Sequence, residues 1–279
     1  MTDNKTADSL RIIDFNNIKI GDTNCPPIFC LDVSIFNTDD NFQIVKDFYG
    51  TNDRKEILKK AQETDCDILG LKFNIEGENQ INEAISLLKD LLHFISKPLM
   101  IRSVNNDGID RILLPELIKI LDRECIISSV NENTYKEIVP AAVSGNHVLV
   151  LKSPIDINLA KELNILSSDL GLSLDKILID TDIGGLGYGL EYGYSIMEKI
   201  KLEGLNGDEY LNMPMISFAT EESLKTKEAK SDNYPSSFGN LKERAEFFEI
   251  CSASAVMAAG ASVIVLNNPL SIDVMKGLM

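Results

Sequence analysis

The residues best placed to do chemistry lie in one stretch, Ile177 to Tyr194, which reads ILIDTDIGGLGYGLEYGY. Its loop portion holds two aspartates, Asp180 and Asp182, four closely spaced glycines, Gly184, Gly185, Gly187 and Gly189, and the flat amphipathic ring of Tyr188, and Glu191 follows. Glycine lacks a Cβ, so such a loop can take positive φ and bring its backbone close to a ligand or a partner surface. The chemistry this suits is holding or docking. The alternative is a packing loop whose glycines only make the turn. Ile177, Leu178 and Ile179 form an apolar run that reads as a core strand, and Ile196, Met197 and Ile200 are spaced as in a helix, so the glycines fall in a strand-to-helix connection.

Stepping along the chain, apolar strands are expected at Ile28 to Val33, Ile68 to Phe73, Leu99 to Val104, Cys125 to Ser129, Val148 to Leu151, Ile177 to Asp180, Met215 to Phe218 and Val263 to Leu266. Helical patterns lie between them at Ile81 to Ile95, Leu113 to Leu121, Tyr135 to Ser144, Ile157 to Leu170, Tyr192 to Leu205 and Phe247 to Ala259, long enough to cross back over a parallel sheet. The strands are continuous apolar runs, as when both faces are covered. Eight such units predict one domain over 1–279, a closed (β/α)₈ TIM barrel, with a short N-terminal extension of about residues 1–26 that covers the barrel's other end. The long polar segment from Phe218 to Leu241 is expected on the functional face.

Active residues of such barrels gather where the strands end. Asp32, Lys72, Asn74, Arg102, Ser103, Ser129, Asn131, Lys152, Ser153, Asp180, Thr181, Asp182, Ser217, Thr220, Asn267 and Asn268 fall at or just past predicted strand ends. Most are hydrogen-bonding groups rather than nucleophiles or bases, and none is a histidine or cysteine, which argues against metal-assisted hydrolysis and cysteine acyl transfer. The five cysteines, Cys25, Cys30, Cys66, Cys125 and Cys251, are scattered, with no C-x-x-C pair, so neither a disulfide framework nor an iron–sulfur site on this chain is expected. His93 and His147 lack a neighbouring metal-ligand pattern, and no metal site is expected.

The net charge of −16 argues against nucleic acid and against anionic membrane surfaces. With no apolar run near the length of a membrane span and a polar start, MTDNKTADSL, a cytoplasmic protein is expected.

Lys152-Ser153-Pro154-Ile155-Asp156-Ile157-Asn158, then Lys161 to Leu166, then IDTDIGGLGYGLEYGYSIMEKIKLEGLNGDEYLNMPMISF closely resemble the small subunit of the corrinoid/iron-sulfur protein, the delta subunit family of acetyl-CoA decarbonylase/synthase. The resemblance is strong over the second half and weaker over the first, through PPIFCLDV, CDILGLKF and KPLMI. It implies a non-catalytic subunit of the methyltransferase and acetyl-CoA synthase system of the reductive acetyl-CoA (Wood-Ljungdahl) pathway. The implied partner is a large subunit carrying cobalamin and an iron–sulfur cluster, with transient contacts to a methyltransferase and to acetyl-CoA synthase. The chain would cap the corrin, cobalamin lying at the interface and the cluster on the partner. Implied corrin- or partner-facing residues are Asp180, Thr181, Asp182, Gly184, Gly185, Gly187, Tyr188, Ser129, Asn131, Lys152, Ser153, Asn158, Ser217, Asn267 and Asn268. The chain departs from the family pattern at Ser129, Thr181 and Asn267-Asn268, where an Asn, a Pro and an Arg-His pair are usual; this suggests a diverged paralogue. The runner-up reading is a stand-alone pterin-binding barrel methyltransferase, with Asp180 or Asp182, Asn131 and Lys72 around the pterin. A third is a scaffold whose glycine loop is only an interface.

Overall fold

In the computed structural model, residues 10–21 and 25–279 are described, and parts of the expected N-terminal extension, residues 1–9 and 22–24, lie outside them. Ten strands are present among the described residues: a hairpin of β1 (Ile13–Phe15) and β2 (Ile18–Ile20), then β3 (Ile28–Phe36), β4 (Ile68–Phe73), β5 (Leu99–Arg102), β6 (Ile126–Val130), β7 (Val148–Lys152), β8 (Ile177–Asp180), β9 (Met215–Ser217) and β10 (Ala261–Leu266). The last eight pair in parallel in chain order, and β10 returns to β3, with Val263 beside Ile28 and Leu266 beside Leu31. The sheet is a closed eight-stranded parallel barrel with helices between its strands.

Strand alternation divides the side chains into two cores. Cys30, Met100, Val150, Leu178, Ile216 and Val265 point into the barrel, whereas Leu31, Leu69, Ile101, Leu149, Ile179 and Leu266 pack outward against the helices. Ile13, Phe15 and Ile20 of the hairpin join the inner cluster with Ile28, Ile68 and Ile126 and close the amino-terminal end. The strand and helix positions match the hydrophobic pattern. The helix expected from Tyr192 begins at Leu190, and two others begin more than a turn earlier than their apolar spacing suggested because polar residues start them. Asn106 caps the helix Asp107–Ile118 by accepting from the Gly108 and Ile109 amides, and an Asn240/Glu243 capping box starts the helix Leu241–Ala259.

Candidate functional site

At the carboxyl ends of the strands the inward positions become polar and charged. Asp32 follows Cys30, Arg102 follows Met100, Lys152 follows Val150, Asp180 follows Leu178 and Asn267 follows Val265, each two residues on and so on the same face. One half of this layer is an ion cluster. Arg102, 2% exposed, donates from Nη1 to Asp32 Oδ2 and from Nη2 to Glu221 Oε2 at 2.8 Å, and its guanidinium carbon lies 4.0 Å from the centre of the Phe218 ring. Lys72 Nζ donates to the other oxygen of Glu221, Oε1, at 2.8 Å. Asn267 Nδ2 donates to the Asp32 carbonyl at 3.1 Å. Position 70 of the neighbouring strand must be glycine, because a Cβ there would sit 2.7 Å from Asp32 Oδ1.

The cluster balances desolvation against charge. Burial works against ionisation of Glu221, yet Arg102 and Lys72 hold its carboxyl well below the usual carboxylate range. Burial likewise opposes the Arg102 charge, and Asp32 and Glu221 outweigh it, lifting the group above its ordinary value. Asp32 Oδ1 is buried and has no hydrogen-bond partner among the described residues. A cleft of about 260 Å³ opens over this half, lined among others by Asp32, Lys72, Arg102, Glu221 and Asn267.

The other half belongs to Asp180. Burial pushes its carboxyl up to about 7, against the pull of Lys152 and reinforced by Asp182, while the Asp182 amide donates to its Oδ1 at 2.9 Å. Lys152 Nζ pairs with Asp182 Oδ2 at 3.1 Å. Burial would lower the Lys152 value, but Asp180 and Asp182 raise it. Asp182 takes a positive φ of 53°, which swings the chain out of the barrel into the glycine loop.

Two of the loop's glycines are required by packing within the chain. A Cβ on Gly184 would meet the Tyr188 carbonyl at 2.4 Å, and one on Gly185 would meet the Glu222 carbonyl at 2.8 Å. Gly187, with φ of 77°, faces open space, and Gly189 precedes the helix Leu190–Leu205. Tyr188 is 56% and Tyr192 61% exposed. The Tyr188 hydroxyl reaches toward Glu228 at 3.5 Å, and Tyr234 and the exposed Phe238 stack edge-on at 6.1 Å between centroids. The rim of the mouth thus carries exposed aromatic rings on the loop and on the long segment after β9.

Asn74 also lines the cleft and donates to Ser34 Oγ at 2.8 Å. Several other sequence-selected residues are not gathered in the mouth. Ser153, Thr181, Ser217 and Asn268 share the parity of residues that pack against the helices, and all are buried. Asn268 caps the last helix, Pro269–Gly277, accepting from the Leu270 amide and donating to Ser271 Oγ. Ser129 shares a hydroxyl–hydroxyl contact of 2.7 Å with Ser128. Asn131 donates to Asp107 Oδ1 at 2.8 Å, tying the end of β6 to the start of the preceding helix, and Asn158 is exposed in the first turn of the helix Ile157–Asp169. Sequence reading missed Glu221, Phe218 and Glu249. Glu221 was legible as an acid a few residues past a strand end. Glu249 is fully buried and accepts from the Asn267 amide at 2.9 Å, the Asn268 amide at 3.2 Å, Ser271 Oγ at 2.6 Å and Thr220 Oγ1, fixing the end of β10. Its signal was its spacing, four residues from the apolar-face Ala245 and Ala253.

Among the described residues, no group of three or more His, Cys, Asp or Glu side chains is arranged to hold a metal. Burial pushes the Cys30 and Cys66 thiols up, and Cys125 to about 12, so these behave as apolar packing groups rather than thiolates. His147 accepts at Nδ1 from the Cys125 amide at 3.1 Å. No helix among the described residues is long and apolar enough to cross a membrane.

A closed parallel barrel with a polar layer at the strands' carboxyl ends defines a protein of the TIM-barrel class. Residues 30–275 match the family described as CO dehydrogenase/acetyl-CoA synthase delta subunit, and the chain belongs to that family. It is 32% identical over 196 residues to the acetyl-CoA decarbonylase/synthase complex subunit delta of Methanocaldococcus jannaschii, covering 70% of this chain and 48% of the relative. It is 29% identical over 201 residues to the subunit of the same name from Methanopyrus kandleri, covering 71% and 50%. The chain thus spans about half the length of the curated relatives it matches. Among solved structures it resembles a dihydropteroate synthase of Xanthomonas albilineans, with a TM-score of 0.63, 13% identity and 96% and 97% coverage. A truncated 3-deoxy-D-arabino-heptulosonate 7-phosphate synthase of Thermotoga maritima gives a TM-score of 0.60, 13% identity and 99% and 94% coverage. At such identity the likeness is one of fold alone.

Proposed function

We infer that this chain is a non-catalytic subunit that pairs with a large corrinoid- and iron–sulfur-carrying subunit and covers the corrin from the carboxyl end of its barrel. The observation that carries this is the aromatic rim: Tyr188 is exposed on the glycine loop and Tyr192 on the first turn of the helix that follows it, above a mouth whose strongest charges are satisfied by one another. Solvent-facing aromatic rings beside polar groups are the residues that dominate protein interfaces. A cleft of about 260 Å³ is several times too small to enclose a corrin with its side-chain amides, so the macrocycle fits over the mouth and not inside it. When bound, the cobalt would supply the methyl-carrying chemistry. The residues of this chain would exclude water from that face and offer polar contacts, with Asp182, Lys152 and Tyr188 nearest the rim. Membership in a family of complex subunits supports the pairing. The pterin reading is less well served, because Asn131 is engaged by Asp107.

The test is co-purification with a cobalamin- and cluster-carrying large subunit, following the cobalt absorption spectrum and the Kd of the pair. Tyr188→Ala with Tyr192→Ala is expected to weaken association tenfold or more while circular dichroism and Tm stay unchanged. A chain that remains alone beside its partner, or a double variant that binds as the parent does, overturns the reading.

A further inference from the structure

The cleft at the barrel mouth is built around an anion, and the anion now in it is part of the chain. Arg102 is held independently of that anion, by Asp32 on one side and against the Phe218 ring. This leaves Nη2 facing the cleft beside Lys72 Nζ. The two carboxylate oxygens of Glu221 occupy these two donors, each at 2.8 Å. A guanidinium positioned in advance binds an incoming carboxylate without paying to order itself. The Arg102 side chain is 3% exposed and that of Glu221 22%, so the receptor is fixed and its occupant sits on the accessible side, on the five-residue helix Ala219–Ser223. Lys225 and Lys230 also line the cleft, which carries four cations against three acids, Asp32, Asp40 and Glu221, in a chain of net charge −16. Directly adjoining it is a second cleft of about 300 Å³ with an apolar lining that includes Ile44, Leu224, Leu241 and Ala245; Phe42 and Lys230 line both.

We propose that the mouth is a binding site for a small organic carboxylate with an apolar body. The ligand's carboxylate takes the place of the Glu221 carboxylate between Arg102 and Lys72, and its body lies past Phe42 in the apolar cleft. Glu221 is an internal occupant that keeps the site filled until a ligand displaces it. Two donors, one per oxygen, match the planar two-oxygen geometry of a carboxylate. A phosphoryl group would bring added negative charge toward Asp32 and Asp40. This proposal does not rest on the partner-subunit reading, and it is tested on the chain alone.

The experiment titrates benzoate, acetate and inorganic phosphate into the wild-type chain, Glu221→Gln, and Glu221→Gln combined with Lys72→Met, by calorimetry. Glu221→Gln keeps the size of the side chain and removes the competing charge. It is expected to bind benzoate at least tenfold more tightly than the wild type, with acetate and phosphate weaker than benzoate, and adding Lys72→Met abolishes the gain. A second measurement needs no variant: benzoate at millimolar concentration should saturably shift the amide resonances of Phe42, Glu221 and Glu222 in the wild-type protein. Equal affinities of wild type and Glu221→Gln, persistence of the gain without Lys72, phosphate binding more tightly than benzoate, or unshifted resonances each overturn the proposal.

Discussion

At the amino-terminal end of the barrel, Ile13, Phe15 and Ile20 press into a ring that includes Ile28, Ile68 and Ile126, and every one of these side chains is apolar. At the opposite end the same inward faces of the same strands carry Asp32, Lys72, Arg102, Lys152 and Asp180. Four residues separate Ile28 from Asp32 and Ile68 from Lys72, which is two full periods of a strand, so the change is one of chemistry at constant direction. A dry end can be sealed by a hairpin because hydrocarbon asks only for contact. A charged end cannot be sealed that way, since each buried charge needs a partner; Arg102 finds one on a strand in Asp32, and the others come from segments beyond the strands, Glu221 and Asp182.

Replacing one residue at each end separates the two kinds of stability. Phe15→Ala removes a fully buried ring and is expected to cost about 3–5 kcal/mol at any pH. Arg102→Met strands the Asp32 carboxylate and is expected to cost about 3–5 kcal/mol near neutral pH. The second loss should shrink as the pH falls below about 4.5, because the stability that Arg102 lends the lowered Glu221 carboxyl is itself lost there; the first should not. Urea unfolding of both variants at about pH 3.5 and 7.5 measures this, and identical pH profiles would dissolve the distinction between the ends.

A smaller effect sharpens it. Asp180 has a folded-state value raised to about 7 from an ordinary 3.8, so in that interval the folded chain holds more protons than the unfolded one. Stability from this group is therefore present at low pH and lost as the pH rises from about 4 to about 7. Asp180→Asn is expected to flatten that loss by about 1–3 kcal/mol, read from unfolding midpoints at pH 5 and 8. An unchanged slope would mean that Asp180 does not carry it.

The smallest effect falls on the rim. Gly187 takes φ of 77° in open space, so Gly187→Ala meets only backbone strain and should cost about 1 kcal/mol in thermal unfolding. A loss several times larger would show that this position is packed rather than open.

Periodicity alone determined the barrel, because a closed parallel sheet with both faces covered needs eight apolar runs with helices between, and those runs are local. The polar residues at the strand ends were legible for the same reason. Which of them share a space was not. Asn267 and Asn268 are neighbours in sequence, yet one donates into the mouth to Asp32 and the other caps the last helix against Ser271, because a single step along a strand reverses the face. Of these two positions only the first therefore opens on the mouth. Glu221 and Arg102 are 119 residues apart and meet only when β9 joins the barrel and the chain beyond it folds back over the mouth. The glycines of the loop announced close approach, but the surfaces that Gly184 and Gly185 approach are the loop's own backbone and the Glu222 carbonyl. Close approach is a property of the backbone and can be read from composition; what is approached depends on how distant segments pack, and only the tertiary structure decides it.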